Sequence, residues 1–521
     1  GPYKSYQIEV DSTQYAIWYF PDNDYFRHSF DSITKELPRL IREVRQETEN
    51  KLQLSYPFKR FSFIETPAYF TSYPRSHTQA QETTQPEMIL MQERAHSLYT
   101  FNFKEQYKWY DRKIKEKRFF MTDAEIQAEL FSGAMKILTT RQGKVSAQQK
   151  ILGRKQYYIE ENPYYLFPQL FSFRYNLLSP HYAGTNRLME IFLQDKSNET
   201  DWVRATNGLT DNEKALMLIR TQPFNELLSD PENYTLYNNI INLQADLLFE
   251  PALIQTGKKL LKKKIFEMLT PLSFQNISFE CFLDSLSKST NCSLVTRMQL
   301  WKKPIAMTRF VTCEPVTSHF KQGREDYFQS ELTVSNTSDT EGYLQYGLYF
   351  RSTGKRGPQD KPAVFYIRFK PHETLRLVHH WQEEPPVSYQ LNTLFSDNLP
   401  AIFSLPAGDV MRNVQRTPEG IYAVDSSYLA VKDEWIVDNE DPGFFLSENP
   451  DEGLLPRWFQ TSAGDKFRYA GFLSYNPPVR WTATTDQMYW GDAIRSSYVI
   501  KSGDGTQTAT WNFSLPESGQ Y

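Results

Sequence analysis

The apolar residues of this chain change their spacing near residue 308, and that change limits the fold more than any other feature. Before it, apolar side chains mostly recur at helical spacing; after it, they alternate with polar ones. "DYFQSELTVSNTS", "GYLQYGLYFRS", "AVFYIRFK" and "ETLRLVHHW" all show the two-residue alternation of half-buried strands between turn signals. A chain of 521 residues also exceeds what one hydrophobic core serves. The expectation is a multidomain α+β protein, with helices and sheets in separate layers.

Four regions follow. Residues 1–125 mix strand and helix signals: "YAIWYF" and "KRFSFIETP" suit buried strands. "SFDSITKELPRLIREVRQETENKL" suits an amphipathic helix with Ile33, Leu37, Leu40, Ile41 and Val44 inward. "SHTQAQETTQPE" is a polar loop before the apolar run "MILM". Residues 126–307 form a mainly helical lobe. It follows a Thr–x–x–Glu capping box at Thr122 and holds helices over 210–220, 251–269 and 278–290. Residues 308–407 suit an antiparallel β-sandwich, and 408–521 a further β domain of jelly-roll type.

Charge narrows the partners. A formal net charge of -4, with no long basic run, argues against nucleic acid. The densest lysine cluster, "TGKKLLKKKIFEML", surrounds Leu260, Leu261, Ile265 and Phe266, which makes it the polar face of a helix. Three cysteines give neither a disulfide framework nor a zinc knuckle. No apolar run is long enough to span a bilayer. Gly1-Pro2 at the start has the look of a protease-cleavage remnant, so the chain is expected to be a piece of something longer.

Catalytic motifs are missing. No phosphate loop, dinucleotide fingerprint or serine elbow occurs. None of the eight histidines begins an HExxH, and His379 and His380, adjacent in a strand, should point to opposite faces. No cofactor is expected. Aromatic residues reach 15%, and most of them should fill cores. In the last region, Tyr489 and Trp490 beside the Gly491–Asp492 turn are the rings best placed for an exposed platform. Asp492 would supply a polar neighbour, so these three are candidate glycan contacts.

The order of parts resembles a known family. "YPFKRFSFIETPAYF" and "PEMILMQE" are similar to the strand and substrate-edge strand of the gluzincin aminopeptidases, nearest to the peptidase-like domains fused to bacterial ABC-type export permeases. In "FPQLFSFRYNLLSPHYAGTNRLMEIFLQ", Glu190 resembles the third metal ligand. The two histidine positions then fall on Phe167 and Phe171, and the catalytic glutamate position on Pro168. Phenylalanine has no lone pair for a metal, and proline is no base. The resemblance therefore implies a thermolysin-like α/β and helical fold with the metal site lost. It also implies a groove edged by Glu87 and Met88, with Glu190 facing it beside a basic partner or water. "EWIVDNEDPGF", "WTATT" and "AIRSSYVIKSGDGTQTATWNFSLPESGQY" resemble golvesin or xanthan-lyase-type carbohydrate-binding-like domains of Bacteroidetes surface and periplasmic proteins. In that reading the final domain stops short of its last strands.

Together these features lead to a non-catalytic pseudopeptidase module, periplasmic or otherwise extracytoplasmic, tethered to a membrane through segments elsewhere. Its expected partners are a membrane permease or secretion-complex component and a peptide, protein or glycan. The competing expectations are an active hydrolase, either a metallopeptidase with other ligands or a carbohydrate-active enzyme, and a pure scaffold.

Overall fold

Three strands rich in aromatic and β-branched residues open the chain and carry a helix across one face. The computed structural model describes residues 3–24, 26–31, 33–67, 84–93, 103–116, 121–139, 170–193, 208–322, 325–350, 363–382, 384–408, 410–412, 416–429, 436–447, 467–472, 475–503 and 505–514. The chain is a multidomain α+β protein that divides into two compact units. One comprises residues 1–197 and 223–302, the other 198–222 and 303–521.

In the first unit, β1 (Lys4–Val10), β2 (Thr13–Tyr19), β3 (Arg60–Thr66), β4 (Thr84–Gln85) and β5 (Met88–Gln92) form a sheet in the order β1-β2-β3-β5-β4. β2, β3 and β5 run parallel to one another, and β1 and β4 run antiparallel to their neighbours. Helix α1 (Leu37–Leu52) buries Leu37, Leu40, Ile41 and Val44 as its period requires. It starts eight residues later than the sequence pattern suggests. Pro38 has no N–H to give and is tolerated only in a first turn, so the helix begins around it. Helix α2 (Asp123–Thr139) opens on the expected box: the Thr122 N–H donates to Glu125 at 2.7 Å, and the Glu125 N–H to the Thr122 hydroxyl at 3.3 Å. Between the sheet and these helices lies an apolar cavity of about 40 Å³, lined by Ala16, Ile41, Phe61, Phe131 and Met135 among others. It is far smaller than the roughly 300 Å³ or more of a ligand pocket.

The rest of this unit is helical. α3 (Leu170–Arg174) leads into β6 (Asn176–Leu178) and then α4 (Thr185–Leu193). The next helix, α5 (Asp211–Ile219), belongs to the other unit. The first unit resumes with α6 (Tyr237–Thr256), α7 (Lys258–Leu269), β7 (Asn276–Ser278) and α8 (Phe279–Thr290). β6 and β7 pair in parallel. The expected helix over 251–269 is two helices: Gly257, at φ 76° and ψ 151°, ends α6 and starts α7 at a new angle. On α7 the residues Leu261, Ile265, Phe266 and Leu269 are buried while Leu260 is exposed, so the lysines line a solvated face. Trp301 closes the helical part as an aromatic knot, 5.0 Å from Tyr182 and 4.9 Å from Phe224.

The second unit contains two sheets over one core. β8 (Phe310–Thr312), β9 (Val316–Gln322), β10 (Glu325–Asn336), β11 (Gly342–Tyr349), β12 (Ala363–Phe369), β13 (Thr374–Gln382), β14 (Ser388–Asn392), β15 (Ile402–Pro406), β16 (Val410–Arg412) and β17 (Gly420–Val424) build them. The orders are β16-β9-β10-β13-β17, with β8 also on β10, and β12-β11-β14-β15. Leu332, Val334 and Leu377 of the first sheet meet Leu344, Leu348 and Leu391 of the second. This is a β-sandwich, and it draws in β16 and β17 from beyond residue 407. His379 points inward to the Tyr346 hydroxyl, while His380 points outward to the Thr417 carbonyl at 2.8 Å, as neighbours in a strand must. β18 (Phe444–Leu446) pairs β21 (Ala509–Trp511), and β19 (Thr482–Thr485) pairs β20 (Ser496–Val499).

Residues 208–220 are woven into this unit. Leu209 is fully buried with Leu399, Tyr469 and Ala483. The Thr485 hydroxyl donates to the Gly208 carbonyl at 2.7 Å, and the Ala401 N–H donates to Glu213 at 2.9 Å. Glu213 closes the α5 capping box with Thr210 at the same time. Among the described residues, no helix is long and apolar enough to cross a membrane.

Candidate functional site

α3 is a single turn and a half, so residues two apart face nearly opposite ways. Phe171 is fully buried, its ring 5.1 Å from that of Tyr175, whereas Phe173 is exposed. β6 then fixes where α4 begins. The Thr185 hydroxyl donates to the Leu177 carbonyl at 2.7 Å, and Asn186 accepts from the Leu177 N–H at 3.2 Å. α4 buries Leu188, Met189, Ile191, Phe192 and Leu193, with the Phe192 ring 4.3 Å from Phe249 on α6.

Glu190 lies on this buried helix and is 3% exposed. Its Oε2 accepts from Arg187 Nη1 at 3.0 Å and from the Ser172 hydroxyl at 3.5 Å. Arg187 also donates to Asn238 of α6: Nε and Nη2 both reach Oδ1 at 3.3 Å. One polar chain therefore ties α3, α4 and α6 together through an apolar interior. Tyr237, next to Asn238, feels the same environment: burial pushes its phenol up to about 12, against the opposing pull of Arg187.

These residues do not fit a divalent metal. Phe171 has no donor atom, and the carboxylate of Glu190 already receives a guanidinium at hydrogen-bond distance. A cation placed on Glu190 would also sit against the fixed positive charge of Arg187. Phe167 and Pro168 lie outside the described residues. Among the described residues, no three His, Cys, Asp or Glu side chains converge as a metal set. Sequence reasoning picked out Glu190 but not its partners. Arg187 and Glu190 stand at i and i+3, a helical pairing signal that was readable, whereas Ser172 and Asn238 come from other helices.

The other candidates are dispersed. Glu87 pairs with Arg60 at 3.1 Å on the surface, and its carbonyl accepts from the Ser62 N–H. Met88 is half-buried and starts β5, which lies between β3 and the two-residue β4. Tyr489, Trp490 and Asp492 lie in the turns after β19, which ends at Thr485. Trp490 is 51% exposed, Asp492 is exposed and Tyr489 is half-buried.

No protein-family model matches the chain, and no curated protein matches it. Among solved structures, Legionella pneumophila aminopeptidase A in complex with aspartic acid is similar at 10% identity and a TM-score of 0.30. That alignment covers 80% of this chain and 38% of the aminopeptidase, so the chain spans well under half the length of that protein.

Proposed function

We propose that the chain is a non-catalytic, peptidase-like module of an extracytoplasmic, membrane-associated transport or secretion protein, and that it holds a protein, peptide or glycan partner. The observation that carries this reading is the Arg187–Glu190 contact. Glu190, the side chain that resembles a third metal ligand, is instead one end of a buried ion pair whose hydrogen bonds to Ser172 and Asn238 join three helices. A guanidinium is a permanent cation, so it compensates the buried carboxylate without offering the open coordination position that hydrolysis requires. The apolar residue at 171 fits the same picture, because it fills space where a ligand would project.

The reading is tested by turnover. The full chain is incubated with a panel of aminoacyl p-nitroanilides, with and without added Zn²⁺. No hydrolysis above the protein-free blank is expected in either condition. Turnover that rises with Zn²⁺ and disappears with a chelator would establish the competing reading, an active metallopeptidase.

A further inference from the structure

Phe274, between α7 and β7, combines an exposed ring with a backbone that bulky residues avoid. It is 68% exposed, and its φ of +62° lies in the left-handed region, where a Cβ crowds the following carbonyl. The turn is pinned to the end of α3. The Phe274 N–H donates to the Arg174 carbonyl at 2.8 Å, and Arg174 Nε donates to the Ser273 hydroxyl at 3.0 Å. The strain therefore serves no packing of the ring, which stays in solvent. Such outliers concentrate where a side chain is held for use.

Two more rings extend it. Phe173, 45% exposed, meets Phe274 edge-on with centroids 5.7 Å apart, and the half-buried Phe58 ahead of β3 packs on Phe173 at 5.2 Å. Three segments far apart in sequence thus set one apolar ladder on the surface of the first unit. Its flanks are cationic. Lys59 is exposed and Arg174 half-buried, and neither forms an ion pair among the described residues. The nearby carboxylates are occupied: Glu87 pairs with Arg60 at 3.1 Å, and Glu280 accepts from Ser179 and Ser278. Asn176, Gln275 and Asn276 beside the ladder are exposed and uncharged.

We infer that the Phe274–Phe173–Phe58 ladder, with Lys59 and Arg174, is a contact surface for an anionic lipid bilayer. Rings without a polar tip enter the boundary between headgroups and acyl chains, while long cations beside them reach back to the lipid phosphates. Anionic headgroups complement the two charges that the chain itself leaves without a carboxylate. An apolar protein face would bury those cations uncompensated. An acidic one would leave the rings unmatched, whereas a bilayer offers both environments at one boundary. The lysine face of α7 lacks this combination: Leu260 is its exposed large apolar residue, and Lys263 pairs with Glu267 at 3.7 Å. The inference goes beyond the proposed function, in which the membrane is reached through other segments. It does not depend on the metal chemistry at Glu190.

The test is co-sedimentation of the full chain with vesicles of phosphatidylcholine and phosphatidylglycerol in equal parts, and with vesicles of phosphatidylcholine alone. Binding to the mixed vesicles is expected, falling as salt is added. Phe274→Asn should weaken it roughly tenfold. The melting temperature should not drop, because Asn accepts a left-handed backbone. Phe173→Ser and Lys59→Glu should weaken binding as well. If Phe274→Asn does lower the melting temperature, Phe173→Ser decides. No binding to the mixed vesicles, equal binding to both kinds, or binding that both ring variants retain overturns the inference. Binding lost in the double variant Lys258→Glu, Lys259→Glu but kept in the ring variants overturns it by moving the contact to α7. A dimer that Phe274→Asn dissolves, seen by sedimentation velocity without any lipid binding, overturns it by giving the face to a second copy of the chain.

Discussion

Arg187 Nη1 lies 3.0 Å from Glu190 Oε2, three residues apart on a helix whose other buried side chains past Thr185 are apolar. Glu190 is 3% and Arg187 15% exposed along the side chain. Arg187→Ala removes the guanidinium from which the buried Glu190 carboxylate accepts, and a loss of about 3–5 kcal/mol is expected for breaking a buried ion pair. Glu190→Gln keeps the volume and an acceptor, and should cost roughly 1–3 kcal/mol. The double variant Arg187→Met, Glu190→Leu should recover most of the loss, since a well-packed apolar pair often replaces a buried ion pair. Denaturant unfolding of the three variants measures this. Equal stability of Arg187→Ala and the parent would refute the role given to the pair.

The sandwich should weaken in mild acid. His379 bridges the two sheets, with the Tyr346 hydroxyl on one ring nitrogen and Glu419 at 3.3 Å on the other. Burial holds its pKa below the ordinary histidine value, with His380 adding to the effect and Glu419 opposing it. In the unfolded chain the ring binds a proton near the ordinary value of about 6.5. Below that pH the unfolded state therefore carries more protons than the folded one, and stability falls as pH drops. The loss levels off once the folded ring is protonated as well. Melting temperatures between neutral pH and about pH 5 should show the slope, and His379→Gln should flatten it. An identical slope in the variant would contradict the assignment.

Gly208→Ala should be disruptive well beyond an ordinary loop substitution. A Cβ there would lie 2.2 Å from the Ala470 carbonyl carbon, and the backbone has φ +74°. That carbon and the Ala470 Cα and carbonyl oxygen beside it are all backbone, so the segment around Ala470 must move. A cost above about 2 kcal/mol is expected from strain and overpacking together. The readout is hydrogen exchange, in which the Ala401 and Ala470 amides should lose protection relative to the sandwich strands.

Periodicity carried much of the architecture. The alternating strands after residue 308 and the inward face of α1 were readable, because one side of each element is wet and the other dry. α6 was not. Ile240, Ile241, Gln244, Ala245, Leu247 and Leu248 are all buried and the polar Asn238, Asn242 and Asp246 are half-buried, so no fully wet face sets a clear period, and Pro251 inside it reads as a breaker. The helical pattern of α5 was visible, but a period does not reveal which core receives the helix. Its place in the β-rich unit follows from contacts that Glu213 on it, and Gly208 and Leu209 just before it, make to Ala401, Thr485 and Tyr469, far along the chain. At the candidate site, Glu190 was singled out by its resemblance to a third metal ligand. The guanidinium that neutralises it was one turn away and passed over, because a surface ion pair and a buried one look alike in sequence.

Under the proposed function, Arg187 compensates Glu190 in place of a metal. Elemental analysis of purified chain, expressed with zinc in the medium and then dialysed against buffer, tests it directly. Far less than one zinc per chain is expected, with no change in melting temperature on adding a chelator. About one tightly held zinc per chain, with a chelator-induced drop in melting temperature that Glu190→Gln abolishes, would contradict the account.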